Sequence, residues 1–270
     1  MKNVLRTALL LSAIPLATTA YAADLGQPYT KAQAVTATSD WSGLYLGGSL
    51  GGRWSDANWT TTGIGIGGGG LMDPFSPSAA KFDPASVRVG GYFGYNWQLS
   101  PAWVVGLEGD FGWGNTKGAA AGIPGTYDDT QAAGARASDS ISLKTDFDWS
   151  LRARAGYLIT PNLLTYATGG AAFQQVDLNA TCAGAHSLSW CSQPHNETFS
   201  KTMAGWTVGG GLEAKIASNW TVRGEYRYAD FGKLTHTFFR NSPGGDDVAG
   251  NVKVRTQTAT IGVSYLFGVR

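Results

Sequence analysis

Between Gly205 and Gly232 the chain reads GWTVGGGLEAKIASNWTVRGEYRYADFG, and taken two residues at a time it separates into two faces. Trp206, Val208, Gly210, Leu212, Ala214 and Ile216 fall on one side, with Thr207, Glu213 and Lys215 on the other. After Ala217-Ser218-Asn219 the alternation resumes, with Trp220, Val222, Tyr226 and Tyr228 set against Thr221, Arg223, Glu225 and Arg227. Side chains alternate across a strand, so this stretch is a β-hairpin with one apolar and one charged face. A turn centred on Ser218 puts Arg223 opposite Glu213 and predicts that they pair. A soluble sandwich hides its apolar face, whereas a membrane barrel turns that face to lipid and its polar face to the lumen.

The remainder of the chain decides between them. Lys2 and Arg6 precede an apolar run from Ala8 to Ala17, and Ala20-Tyr21-Ala22 has the small residues of a cleavage site. Residues 1–22 therefore read as a secretory signal cut between Ala22 and Ala23. Residues 23–40 are polar and aperiodic, a flexible periplasmic lead-in. No later segment offers the roughly 18–20 consecutive apolar residues of a spanning helix. No Cys stands near the cleavage site to carry a lipid anchor. With 38 Gly and 32 aromatic residues (10 Trp, 11 Tyr, 11 Phe), the composition favours β structure over helix. A net charge of +1 gives no electrostatic case for a nucleic-acid partner.

Period-2 rows recur from Trp41 to Phe267. Leu44, Leu46, Leu50 and Trp54 oppose Tyr45, Ser49 and Arg53. Val87, Val89, Phe93, Tyr95 and Trp97 oppose Arg88 and Asn96. Trp103, Val105, Leu107, Phe111 and Trp113 oppose Glu108 and Asp110, and Phe147, Trp149, Leu151 and Tyr157 oppose Asp148, Arg152 and Arg154. Matching turn to turn puts Leu163, Ala167, Ala171 and Phe173 outward on the next strand, and Ala259, Ile261, Val263, Tyr265 and Phe267 share a face on the last. Short turns fall at Ser100, Thr160 and Ser218. Longer aperiodic stretches, 55–85, 115–142, 177–201 and 233–251, read as loops. Eight strands joined by alternating short turns and long loops predict an all-β, eight-stranded antiparallel transmembrane barrel over 41–267 in the outer membrane. Residues 268–270 form a tail and both ends are periplasmic. Outer-membrane lipid and lipopolysaccharide are its implied surroundings.

The residues Trp41-Ser-Gly-Leu-Tyr-Leu-Gly-Gly48, Gly205 to Glu213, Asn219 to Gly232 and the closing strand resemble the RopB-like family of small alphaproteobacterial outer-membrane barrels, which share the architecture of the OmpA transmembrane domain. The resemblance implies a porin-like protein and, through some relatives, hemin binding. Thr260, Gly262, Tyr265 and Phe267 look like the signal read by the barrel-insertion machinery, although Gly268-Val269-Arg270 follow where the family ends on an aromatic residue.

Four sets of residues can carry function. The inward rows collect Arg53, Arg88, Arg152, Arg154, Lys215, Arg223 and Arg227 against Glu108, Asp110, Asp148, Glu213 and Glu225. An eight-stranded barrel is only wide enough for side chains to fill, so these groups are expected to pair into a plug; the alternative is a narrow ion path. Arg152 and Arg154 are expected to pair with Glu108 and Asp110. Cys182 and Cys191, exported together, are expected to form a disulfide. Beside them, His186 and His195 match no zinc spacing. Under the family's hemin-binding precedent either would ligate iron, with Trp190 or Phe199 stacking on the ring. A rim hydrolase needs a carboxylate or Ser fixed beside His186, His195 or His236, and the strand periodicity supplies none. The reading is a non-enzymatic, envelope-integrity barrel without a cofactor, with a surface receptor and a rim hydrolase as alternatives.

Overall fold

The structure, a computed structural model, describes residues 40–65, 77–126, 139–183, 191, 193–240, 242 and 245–268. The signal with its Ala22–Ala23 junction, the lead-in up to residue 39, Gly67 to Gly70, His186, Trp190 and the last two residues lie outside the described residues.

Nine strands follow in order: β1 Gly43–Ile64, β2 Ala79–Phe82, β3 Ala85–Gln98, β4 Trp103–Ala121, β5 Ser140–Thr160, β6 Leu163–Cys182, β7 His195–Lys215, β8 Trp220–Phe238 and β9 Val248–Leu266. All pairings are antiparallel, and β1-β3-β4-β5-β6-β7-β8-β9 closes into a ring because β9 returns to β1 from Tyr45↔Leu266 to Ile64↔Val248. The short β2 adds only to β1, with Ala57 opposite Phe82. Turns at 99–102, 161–162 and 216–219 join β3 to β4, β5 to β6 and β7 to β8.

The apolar rows face out. Leu46, Leu151 and Ile261 are 58%, 61% and 68% exposed, while Arg152 on the opposite row is 1% exposed. On β6, Ala167, Ala171 and Phe173 lie on the outward row and Leu164, Tyr166 and Ala172 on the inward one. Two aromatic belts bound this apolar surface. Trp103–Tyr157 and Trp220–Tyr265, both at 5.3 Å between ring centres, belong to the belt near the short turns. Phe111–Phe147 (5.7 Å), Trp149–Phe173 (3.7 Å) and Trp206–Tyr228 (5.5 Å) form the other. Eight to ten tilted residues separate the belts along a strand, roughly 20–25 Å, the height of a membrane barrel's apolar band.

The four long loops are shorter than the sequence suggests, because every strand of the ring except β3 runs on past the second belt. The facing of the side chains continues there while their chemistry inverts. On β1 the outward row changes from Leu50 and Trp54 to Asp56, Asn58 and Thr60, and the inward row becomes Ala57 and buried Trp59. On β6 Phe173 gives way outward to Gln175, Asp177 and Asn179, as Val176, Leu178 and Ala180 turn inward. Bulges between Trp113 and Thr116, Thr145 and Asp148, and Asp230 and Lys233 shift the period as well. An apolar-out pattern therefore vanishes from the sequence where the strand does not.

Above the second belt the ring also splits. Pairing of β3 with β4 stops at Val89↔Trp113, and pairing of β7 with β8 stops at Trp206↔Asp230. Beyond these points β2-β1-β9-β8 and β4-β5-β6-β7 form two four-stranded sheets that share one apolar core. Trp59, Phe82, Phe231, Phe238, Val248 and Val252 contribute from one sheet; Ile141, Leu143, Val176, Leu178 and Met203 contribute from the other. The barrel thus carries a small sandwich as a head at the end opposite the short turns.

Candidate functional site

The lumen within the membrane band is filled by charged side chains from five strands, with Arg53 from β1 added. Glu108 on β4 lies at its centre. It accepts short hydrogen bonds from Arg152 and Arg223 and one of 2.8 Å from the Tyr45 hydroxyl, while Arg154 stands 3.8 Å away. Glu225 accepts from Arg152 Nη1 at 2.9 Å and Tyr166 Oη at 2.8 Å. Toward the head, Asp110 takes Arg88 at 2.8 Å, Arg227 at 2.7 Å and the Ser150 hydroxyl. Asp148 takes Arg53 at 2.9 Å and Arg88 through both of its oxygens. Toward the short turns, Arg154 donates to Glu213 at 2.7 Å, and Thr221 donates to the other Glu213 oxygen at 2.7 Å. Tyrosine rings cover the cations: Arg223 lies 3.4 Å from the Tyr92 ring centre and Arg154 lies 4.2 Å from that of Tyr166.

One of the expected pairings changes. Glu213 and Arg223 are directly opposite in register, yet Arg223 reaches across the lumen to Glu108 and leaves Glu213 to Arg154. A narrow bore explains this, since a guanidinium on its long stem meets the far wall as readily as its neighbour. Arg152 does bond Glu108 across the β4–β5 ladder, and it stands 3.9 Å from Asp110. Two glycines make room for these groups. Arg88 packs its guanidinium against Gly112, and a Cβ placed on Gly262 would stand only 2.8 Å from the Tyr92 hydroxyl. Tyr45, Tyr92 and Tyr166 also belong to the site, with no role assigned to them above; their inward position on charged rows is the signal that marks them.

The network is closed at both ends. Toward the short turns, Trp41, Val104, Leu158, Leu164 and Tyr166 form an apolar plug. Trp41 donates through Nε1 to the Pro161 carbonyl at 3.0 Å, and Lys215 stands 5.0 Å over its ring. At the opposite end lies the apolar core of the head.

In the head, Cys182 and Cys191 form a disulfide with Cα atoms 6.7 Å apart. His195 Nε2 lies 3.3 Å from Asp246, and His236 Nε2 lies 3.0 Å from Glu197, whose second oxygen accepts the Phe239 N–H at 2.6 Å. These contacts correct the expectation that no carboxylate is fixed beside a rim histidine. The His236–Glu197 contact arises because β7 and β8 continue as strands through 195–201 and 233–238. Phe199 stacks on His236 at 3.8 Å, so its ring is already occupied. Among the described residues no group of three or more His, Cys, Asp or Glu side chains is placed to hold a metal ion. On the last strand Thr260 and Gly262 point inward, whereas Tyr265 and Phe267 face outward beside Trp220.

The profile of the family described as "Outer membrane protein beta-barrel domain" matches residues 7–267. The chain is 32% identical over 285 residues to the 31 kDa outer-membrane immunogenic protein of Brucella melitensis, covering 99% of this chain and all of that one. It is 29% identical over 273 residues to the 25 kDa outer-membrane immunogenic protein of Brucella abortus, covering 98% of this chain and all of that one. The 22 kDa outer membrane protein of Rhizobium leguminosarum bv. viciae is 28% identical over 197 residues, covering 73% of this chain and 67% of that one. Among solved structures, the outer membrane protein OprG from Pseudomonas aeruginosa has the same fold, with a TM-score of 0.52 at 12% identity over 84% of this chain and 96% of that one. An antiparallel ring with its apolar rows outward, matched nearly end to end by relatives named for the outer membrane, identifies the chain as a member of the outer-membrane β-barrel family and places it in that membrane.

Proposed function

We infer that the protein is a structural, envelope-integrity barrel that is not an enzyme and has at most a narrow permeability to small solutes. One observation carries this reading: the bore is blocked in series by the Trp41 plug, the arginine–carboxylate network and the core of the head. Moving an ion through would require breaking buried pairs and parting an apolar core. The lipid and lipopolysaccharide around the belts, and the insertion machinery reading the last strand, are the partners that such a barrel requires.

The receptor reading has less support. In each described histidine Nε2 already faces a carboxylate, and hemin ligation by His195 would first require release from Asp246. A rim hydrolase would draw on the same His–carboxylate pairs, but no nucleophile is hydrogen-bonded to either imidazole among the described residues. The test is conductance of the refolded chain in a planar bilayer. Silence or brief, small openings are expected, and a steady high-conductance state would overturn the reading. A hemin titration followed by visible absorption separates the receptor from it.

A further inference from the structure

Six guanidinium groups, those of Arg53, Arg88, Arg152, Arg154, Arg223 and Arg227, share the lumen with the carboxylates of Glu108, Asp110, Asp148, Glu213 and Glu225. Lys215 stands apart from them near the short turns, over the Trp41 ring, and among these eleven groups the positive charges exceed the carboxylates by one. Surplus charge held away from water is costly unless a counter-charge lies close by.

A small cavity of about 30 Å³ sits where the network meets the head, lined by Gln174, Arg227, Thr258, Asp148 and the apolar side chains of Ala172 and Phe231 among others. Roughly 10–15 Å³ on this scale accommodates a water molecule, so the space suits one monatomic ion and not an organic solute. Gln174 is fully buried; its Oε1 accepts from the Thr256 hydroxyl at 2.9 Å, and its Nε2 has no hydrogen-bond partner. Arg227 spends Nη1 on Asp110 and Ser150 and Nε on Thr258, and none of these hydrogen bonds uses Nη2. The Asp148 oxygens are directed to Arg53 and Arg88, which offsets their repulsion of an anion in the same space. An amide N–H, a guanidinium and a hydroxyl around one small space, beside a charge surplus of one, make an anion site.

The geometry points to a structural monovalent anion of chloride size, bound between Gln174 and Arg227 as the missing counter-charge of the lumen. This goes beyond the envelope reading and does not depend on whether the barrel conducts. Oxygen for nitrogen at one atom makes the decisive variant. Gln174→Glu keeps the side-chain shape and, when ionised, supplies the sixth carboxylate in place.

The experiment uses the refolded full chain in a zwitterionic detergent. Folding of wild type and Q174E is checked by heat-modifiable gel mobility, and chloride is exchanged for gluconate at constant ionic strength. Wild type is expected to broaden the ³⁵Cl resonance saturably, with the broadening removed by bromide. Bromide-soaked crystals are expected to show an anomalous peak between Gln174 and Arg227. Q174E is expected to abolish both signals. If Q174E does not fold, Thr258→Val, which removes one lining hydroxyl, is expected to weaken halide binding at least threefold. Absence of saturable broadening with no anomalous peak would show that water alone fills the space and would overturn the proposal. So would broadening of unchanged size in folded Q174E or T258V.

Discussion

Glu213 and Arg223 stand directly opposite one another on β7 and β8 and do not form an ion pair. Glu213 accepts from Arg154 and Thr221, and Arg223 donates to Glu108 under the ring of Tyr92. Double-mutant cycles on the refolded barrel should therefore give a coupling of about 1–3 kcal/mol between Glu213 and Arg154. The Glu213–Arg223 cycle should be much closer to additive. A larger coupling for the cross-strand pair would mean that the lumen is wired along its ladders and not across its bore.

The inversion of polarity along β1 and β6 makes a second, paired prediction. Leu151→Arg on the lipid-facing row should cost about 2–4 kcal/mol, as a cation does near the bilayer midplane. Leu178→Arg, on the inward row of the head, should also be strongly destabilising because it buries an unpaired charge. Its outward neighbour Asn179→Leu should change stability by no more than about 0.5–1 kcal/mol. Urea unfolding in lipid vesicles measures all three, and a clearly stabilising Asn179→Leu would place lipid around the head.

Reducing the Cys182–Cys191 bridge should lower the stability of the head by about 2–3 kcal/mol, the scale for closing a short loop. The membrane section should keep its gel mobility. Limited proteolysis of intact cells with and without reductant reads the difference, with new cleavage expected between β6 and β7. Protection unaffected by reductant would mean that the two sheets hold the segment without it.

Glu197→Gln weakens the contacts to His236 and to the Phe239 amide, which tie β7 to β8 where backbone pairing has ended. A hydrogen bond to a charged group is worth about 1.5–3 kcal/mol, so the Phe239 amide should exchange roughly ten- to a hundredfold faster. Exchange in the Trp206–Lys215 part of β7 should be unaffected. A general loss of protection would show that this contact supports the whole barrel.

The membrane section was legible because one physical rule, apolar out and polar in, holds from Leu44 to Trp54 and from Trp103 to Trp113 without exception in phase. The head was not, because the rule reverses at Ser55 and Gln175 and bulges displace the count at Thr116 and Lys233. Local pairings across a single ladder, such as Arg152 with Glu108, could be read from turn positions. Contacts over the bore, such as Arg227 with Asp110 or Arg53 with Asp148, depend on strand tilt and barrel radius, which no period along the chain encodes. The His236–Glu197 contact escaped for a third reason: it joins two strand segments that share no ladder.

The reversal at Ser55 and Gln175 also acts as a depth gauge. Sliding the molecule inward by two residues would drag Asp56, Gln175 and Asp177 toward acyl chains, and sliding it outward would lift Trp103, Tyr157 and Trp220 off their interface into hydrocarbon. Both displacements carry a penalty repeated around the circumference, so the vertical position is held from two sides. A bilayer thicker or thinner than this interval must itself deform to meet the barrel. The protein therefore imposes a local thickness on the leaflets around it, and neighbours with the same interval between belts would share that deformation at lower cost than neighbours without it.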